Sequence, residues 1–437
     1  MASGWHPVEM MRLIILMCLV FNGWAVRAND LAGSDLRGHG GPVRGIAVAP
    51  NGAIAATASF DSTVILWALE TGRALQVLRF HDGAVNAVMA LADGRFASAG
   101  EDGRIALWRL GSPRPEAVLT GHSAPVVALA RSEDGAFIAS ASWDGTARLW
   151  PLQEGPVVSL SDHRGNVNGV GFLPGGKVVT ADYDGTLRLF RRDGVLERRI
   201  DLGVPANALL VDGAGAVVVA GGDGAVRVFD GALAPVSTHA AAETPLAALA
   251  LSPDGRKVTA AGFRGALAVI DRHSGGIRRL EGPAFPLWSM AFSPDGSVLF
   301  TGGNDRIVRR WSVTTGEPLV PVLGGAADDV PEKLKDHPGA AVFRACVACH
   351  TLSPDHGSRA GPTLSGLYGR RIGTAKDYDY SPALRGMSII WTKETLQQLF
   401  AEGPARFTPG TKMPEQTIGR AEDRAALAEF LDLAGTR

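Results

Sequence analysis

Short apolar stretches separated by turn residues run through the first three quarters of the chain, and the alternation recurs at a period of about 40 residues. Its marker is an acidic turn residue with an apolar or aromatic residue six positions on: Asp61 and Trp67, Asp102 and Trp108, Asp144 and Trp150, Asp184 and Phe190, Asp223 and Phe229, Asp305 and Trp311. One further unit keeps the apolar member, Ile270, and replaces the acid with Arg264. A histidine stands 21 or 22 residues before the first four turns, at His39, His81, His122 and His163. Four residues before most turns is a hydroxyl, at Thr57, Ser98, Ser140, Thr180 and Thr301. Turns such as Pro50-Asn51-Gly52 and Pro253-Asp254-Gly255 suit hairpins, because Asn, Asp and Gly accept the backbone of tight connections. Each unit therefore predicts several short strands. Polar residues that recur from unit to unit predict structure rather than catalysis, since a catalytic group is needed once.

The two ends follow other patterns. Arg12 precedes an apolar run over residues 13–26, broken at Asn22 and followed by Arg27 and Ala28. This predicts a signal peptide over 1–28, cut after Ala28, with a retained anchor as the alternative. Met10 or Met11 is an alternative start, and Cys18 lacks the small residue before it that lipid attachment would favour. Residues 324–335 are small and charged without periodicity, a linker between a repeat domain at 29–323 and a second domain at 336–437. Near the C-terminus, residues 421–434 predict a helix with Leu427, Phe430 and Leu431 on one face.

The stretches around Gly121-His122 and Trp143-Asp144-Gly145 to Leu149-Trp150 resemble the WD-repeat family, and the resemblance extends over residues 31–323. It implies a seven-bladed β-propeller of four-stranded blades. It also implies that Asp144, His122, Ser140 and Trp150 form a hydrogen-bonded set within their blade, with matching sets in repeats one and two. Repeats four to seven depart from this pattern, so looser polar bonding is expected there. A ring must cover its last sheet edge. Residues 34–37 and 317–323 compete for that place, and by family analogy the N-terminal segment is expected to take it. Aromatic residues beside the turns, Phe60, Trp143, Tyr183 and Phe263, are placed where a propeller offers a face to partners.

Length, charge and cysteine content narrow the reading. A chain of 437 residues with 46% hydrophobic content is too long for one core. With 43 Lys and Arg against 44 Asp and Glu it has no field for gripping nucleic acid, so no nucleic-acid partner is expected. Once residues 1–28 are removed, Cys346 and Cys349 are the remaining cysteines, too close in sequence to staple a large domain. They stand in Cys346-Val347-Ala348-Cys349-His350, the spacing of covalent haem attachment. On one helical turn two thiols reach the two porphyrin vinyl groups while the adjacent imidazole faces iron. Zinc would require further ligands of good spacing, and thioredoxin-like chemistry an alternating strand and helix context that this region lacks.

From 338 to 435 the chain resembles class I cytochrome c. The motifs are Gly339 to His350; Gly361-Pro362-Thr363-Leu364; Gly366 to Arg370; Tyr378 to Leu384; Trp391; and Pro409-Gly410-Thr411-Lys412-Met413-Pro414. The resemblance implies one haem c, bound covalently through Cys346 and Cys349, with His350 and Met413 as iron ligands. It further implies that the Pro362 carbonyl orients His350, that Tyr380, Trp391 and Thr411 hydrogen-bond toward a propionate, and that Arg370 offsets its charge. Met387, His356 and His337 are alternative sixth ligands, and Tyr380 and Trp391 can instead be core residues. The stretch from Trp391 to Pro404 is one residue longer than in the mitochondrial pattern, which leaves open whether Leu399 or Phe400 faces the haem. The last helix is expected to cross the first at Phe343.

The expected whole is multidomain: an all-β seven-bladed propeller followed by an all-α cytochrome domain. Its expected function is periplasmic electron transfer, with the propeller docking a redox partner protein and membrane contact only through a retained N-terminal anchor. Residues 331–437 hold 14 basic and 12 acidic side chains, so strong steering to an acidic partner is not expected. Two other readings are an oxidoreductase whose propeller binds a substrate or second cofactor, and a redox-sensing or assembly scaffold. An enzyme should show an ionisable cluster in the propeller channel near the haem.

Overall fold

The computed structural model describes residues 35–435 except 284, 321–329, 345, 348, 353–358, 377, 379, 412 and 414–415. The expected signal segment and His356 lie outside the described residues.

Seven four-stranded antiparallel sheets follow one another along the chain. The first blade runs Val43–Val48, Ile54–Ser59, Thr63–Ala68 and Arg73–Arg79, in that order from the inside outward. The seventh takes three strands from Leu287–Phe292, Val298–Gly303 and Ile307–Ser312, and its outer strand from the other end of the domain, Leu36–Arg37. Leu36 pairs with Val308 and Arg37 with Ile307, so the N-terminal segment closes the ring, as expected. The described part of the competing segment, residues 317–320, adds to the same edge: Pro318 bridges Trp311, and Leu319 N donates to Arg310 O at 2.8 Å. Both candidates thus share the task, each satisfying backbone groups that would otherwise be exposed.

The middle strands are buried on both faces, as Ile138, Ala139, Ala141, Val217, Val218 and Val219 show. Clusters of such residues fill the wedges between neighbouring blades. Within blade three, Trp150 Nε1 donates to Ser140 Oγ at 2.8 Å, Ser140 Oγ lies 2.7 Å from His122 Nε2, and His122 Nδ1 lies 2.7 Å from Asp144. Blades one and two repeat the set through His39, Thr57, Asp61 and Trp67, and through His81, Ser98, Asp102 and Trp108.

Blade four corrects the expectation of looser bonding. His163 pairs with Asp182 at 3.0 Å rather than with Asp184, and Asp182 also accepts from Thr186 and the buried Arg188. The acid has moved two residues back into the strand, where Arg188 supplies a second donor. Blades five and six lack the histidine, and the expectation holds better there: Asp223 pairs with Arg227 on the surface, and Thr259 bonds only the Ala250 carbonyl.

The C-terminal domain is built from α1 (Pro338–Phe343), α2 (Pro382–Gly386), α3 (Lys393–Glu402), α4 (Pro404–Phe407) and α5 (Ala421–Gly435). Phe343 of α1 and Phe430 of α5 are fully buried with ring centroids 5.2 Å apart, so the last helix crosses the first at Phe343 as expected. Gly339 permits the crossing, because a Cβ there would fall 2.1 Å from the Ala426 carbonyl oxygen. Leu399 and Phe400 are both buried in this core. Val330 and Leu334, within the stretch read as linker, pack into the same core. Among the described residues no helix is long and apolar enough to cross a membrane.

Candidate functional site

The attachment motif is a continuation of α1. Cys346 N donates to Phe343 O at 2.7 Å, and His350 N to Cys346 O at 3.0 Å. This winding brings Cys346, Cys349 and His350 onto one turn. Both cysteines are free thiols, Cys346 buried and Cys349 half-buried. His350 Nδ1 lies 2.7 Å from the Pro362 carbonyl oxygen. A carbonyl only accepts, so Nδ1 carries the proton and Nε2 is the nitrogen that can ligate a metal. The ring lies against Gly361, where a Cβ would fall 2.3 Å from His350 Cε1.

Burial holds the His350 imidazole below its ordinary value of 6.5, against the opposing pull of the Pro362 hydrogen bond. At neutral pH the ring is therefore uncharged, the form that binds metal. Burial pushes the Cys346 thiol up to about 12, with Cys349 adding to the shift. Cys349 is pushed up to about 11 by burial and by the Asp61 carboxylate of the propeller, against Arg306 and Arg359.

Met413 is half-buried against the apolar cluster that also contains Cys346, and its backbone N–H donates to Thr411 Oγ1 at 3.1 Å. Thr411 thus shapes the turn that presents Met413. His337 is occupied as the cap of α1, its Nδ1 accepting from Gly339 N at 3.1 Å. Met387 follows α2, and its carbonyl accepts from Arg371 at 2.9 Å. Arg370 donates to the carbonyls of Thr363 at 2.7 Å and Ser365 at 3.1 Å, tying the segment after Pro362 to the domain. Tyr380 is half-buried, packed edge-on to Tyr378 at 4.6 Å, and lies in the field of Arg370. Trp391 packs on the core, and its backbone exchanges bonds with Gly369 and Arg370.

The residues present fit a covalently bound haem. Two free thiols and an oriented imidazole share one turn, and a glycine leaves that ring its place. Among the described residues no group of three or more His, Cys, Asp or Glu could hold a metal ion, so the two thiols lack the companions a tetrahedral zinc site requires.

Several contacts escaped the sequence reading. Arg359 is buried and donates to Val347 O at 2.6 Å, bracing the attachment turn. Arg79 of the propeller donates to the carbonyls of Arg359 and Ala360. No local pattern signals a contact across some 280 residues.

The central channel of the propeller has a volume of about 230 Å³. Arg44, Asn86, Asn168 and Asn207 are its polar side chains apart from Ser289, Trp143 and Trp288, and among the described residues its lining contains no carboxylate, histidine or cysteine. The exposed aromatics beside the turns include Phe60, Trp143, Tyr183 and Phe263.

Comparison with known proteins agrees with this division. The model of the WD domain, G-beta repeat, matches residues 32–68, 72–109, 113–151, 154–191 and 275–312. The cytochrome c model matches residues 337–433. Cytochrome c of Gibberella zeae is 38% identical over 94 residues, 21% of this chain and 88% of the relative. Cytochrome c of Arabidopsis thaliana is 38% identical over 95 residues, 22% of this chain and 84% of the relative. Cytochrome c 2.1 of Caenorhabditis elegans is 35% identical over 100 residues, 23% of this chain and 88% of the relative. Among solved structures, the WD40 beta propeller domain of Doa1 superposes with a TM-score of 0.58 at 24% identity, covering 65% of this chain and 98% of that one, a likeness of fold. Through its C-terminal domain this chain belongs to the cytochrome c family, and that domain is fused to a seven-bladed propeller of WD40 repeats.

Proposed function

We propose that this protein is an exported, periplasmic electron carrier with one haem c, attached through Cys346 and Cys349 and ligated by His350 and Met413. The observation that carries the reading is the Cys346 to His350 turn with His350 Nδ1 engaged by the Pro362 carbonyl. When bound, a His/Met-ligated haem exchanges single electrons at a raised potential and disfavours oxygen chemistry. The chain's own residues orient and enclose. Pro362 sets the tautomer of His350, Gly361 makes room for the ring, Arg359 braces the thiol turn, and Thr411 shapes the turn that presents Met413. In this reading Tyr380, Trp391 and Thr411 would hydrogen-bond toward a propionate, and Arg370 would offset its charge.

The propeller serves as a scaffold for a redox partner protein. Its channel supports this role over catalysis, because a lining without carboxylate, histidine or cysteine offers no acid, base or nucleophile. Membrane contact would come only through a retained N-terminal segment.

Expression with periplasmic haem maturation, followed by visible spectra as isolated, with ascorbate and with dithionite, tests the proposal. Ascorbate reduction together with the weak red band of sulfur-ligated ferric haem is expected. No covalent haem would overturn the cytochrome chemistry, and a haem reduced only by dithionite would overturn the role of Met413.

A further inference from the structure

We propose that the propeller supplies part of the haem site: Arg79, at the end of the outer strand of blade one, is a positioning residue for His350. The inference rests on the reading of His350 as an iron ligand. Arg79 Nη2 donates to the carbonyl oxygens of Arg359 at 3.1 Å and Ala360 at 2.5 Å. The same guanidinium lies 4.0 Å from the ring centroid of Tyr378, whose hydroxyl donates to Ala360 O at 2.9 Å. From the other side Ala360 N donates to Gly38 O at 2.9 Å, next to the strand that closes the propeller. Ala360 is thus held by two propeller segments and one tyrosine, and it stands two residues before Pro362.

The segment is equally fixed toward the thiols. Gly361 N donates to Cys349 O at 2.7 Å, and Arg359 N to Gly361 O at 3.0 Å. Pro362 O then accepts the hydrogen bond that His350 Nδ1 donates. The backbone of residues 360–362 therefore connects the hydrogen bonds from blade one to the one on the imidazole. Two glycines allow the approach. A Cβ at Gly40 would lie 2.5 Å from Cys349 Sγ, and one at Gly38 would lie 2.9 Å from Trp67 and 3.4 Å from Arg359. An arginine serves here because one guanidinium nitrogen, Nη2, reaches two carbonyls while the planar face stacks on a ring.

The strength of the Nδ1 hydrogen bond governs the basicity of a ligating histidine. The propeller that holds its acceptor in place therefore acts on the ligand. A mere docking contact would join the two domains without touching that bond.

Two measurements separate these cases. In haem-free, reduced protein, Arg79→Ala is expected to speed alkylation of Cys349 by iodoacetamide at least threefold, while Arg73→Ala, on the exposed side of the same strand, leaves it unchanged. In haem-loaded, reduced protein, Arg79→Ala is expected to speed deuterium exchange of the His350 Nδ1 proton, followed by NMR, about tenfold, with Arg79→Lys restoring part of the protection. Tyr378→Leu, which loosens Ala360 from the cytochrome side, should act in the same direction and serves if Arg79→Ala does not fold. Faster alkylation with unchanged exchange would show that Arg79 only docks the domains and would overturn the positioning role. Unchanged values in both measurements would overturn the interface as well. If the wild-type chain takes up no covalent haem, the haem reading fails, and the alkylation result still decides whether the propeller covers Cys349.

Discussion

The propeller and the cytochrome domain use the same kinds of side chain in opposite ways. In the propeller, a histidine, a hydroxyl, an acid and an indole are joined within a blade, and the arrangement is made three times over. In the cytochrome domain, one histidine directly after two thiols sits on one carbonyl, and among the described residues nothing duplicates it. Repetition marks the first set as scaffolding, since each copy stabilises only its own blade. Singularity, together with a donor set that suits one cofactor, marks the second as chemistry. Identical residue types therefore carry different meaning according to whether their surroundings recur.

The largest expected effect breaks this comparison at its chemical end. Replacing both Cys346 and Cys349 by Ala should abolish covalent haem, read by haem staining after denaturing electrophoresis, and leave the melting transition of the propeller in place. Retained covalent haem would mean that attachment lies elsewhere.

Gly361→Ala is the next test, because the added methyl would press on the face of the His350 ring, 2.3 Å from Cε1. The imidazole must then shift from the Pro362 carbonyl, and part of the ferric haem should turn high-spin in its visible and EPR spectra. An unchanged low-spin spectrum would show that the glycine is not needed for the ring.

Within the scaffold, Ser140→Ala removes the hydroxyl that joins Trp150 Nε1 to His122 Nε2 and leaves two buried nitrogens without a partner. The cost should be about 1–3 kcal/mol, read from denaturant unfolding. Thr259→Ala in blade six, where the hydroxyl bonds one carbonyl, should cost markedly less. Equal costs would remove the distinction between the two kinds of blade.

The smallest effect is on pH. Burial, aided by the neighbouring Arg188 guanidinium, keeps His163 below its ordinary value of 6.5. Burial alone would raise Asp182, yet its bonds to His163, Thr186 and Arg188 hold it well below the usual carboxylate range. The unfolded chain therefore binds protons that the folded one does not, first near the ordinary histidine value and again near the ordinary carboxylate value. Stability should be full above about pH 7, decline slightly as pH falls through 6.5, and decline further below about 4. A melting temperature that rose between pH 7.5 and 5.5 would contradict this sign.

Much of the molecule was legible in advance. Seven repeats were readable from the spaced turn and aromatic residues, including units five and six, which the family model does not match yet which form four-stranded blades. The apolar face of the last helix was readable because amphipathic period is a local property, and its crossing of the first helix at Phe343 was implied by the resemblance to cytochrome c. Asp182 was not, since two acids lie close together and only the packed blade shows which one faces His163. The shared closure of the seventh blade was likewise hidden, because either segment alone suits an edge.

By itself the sequence determined the two-part architecture, the repeat number and the thiol-thiol-imidazole turn, because each is encoded by spacing within about 40 residues or by a five-residue motif. Only the tertiary structure decided that Arg79 and Gly40 meet the segment around His350, and that Arg370 spends its donors on Thr363 and Ser365. The contacts of Arg79 and Gly40 join chain positions hundreds of residues apart, and those of Arg370 depend on how its loop folds back within the packed domain. No local periodicity records that placement; the shape and polar complementarity of the folded surfaces set it.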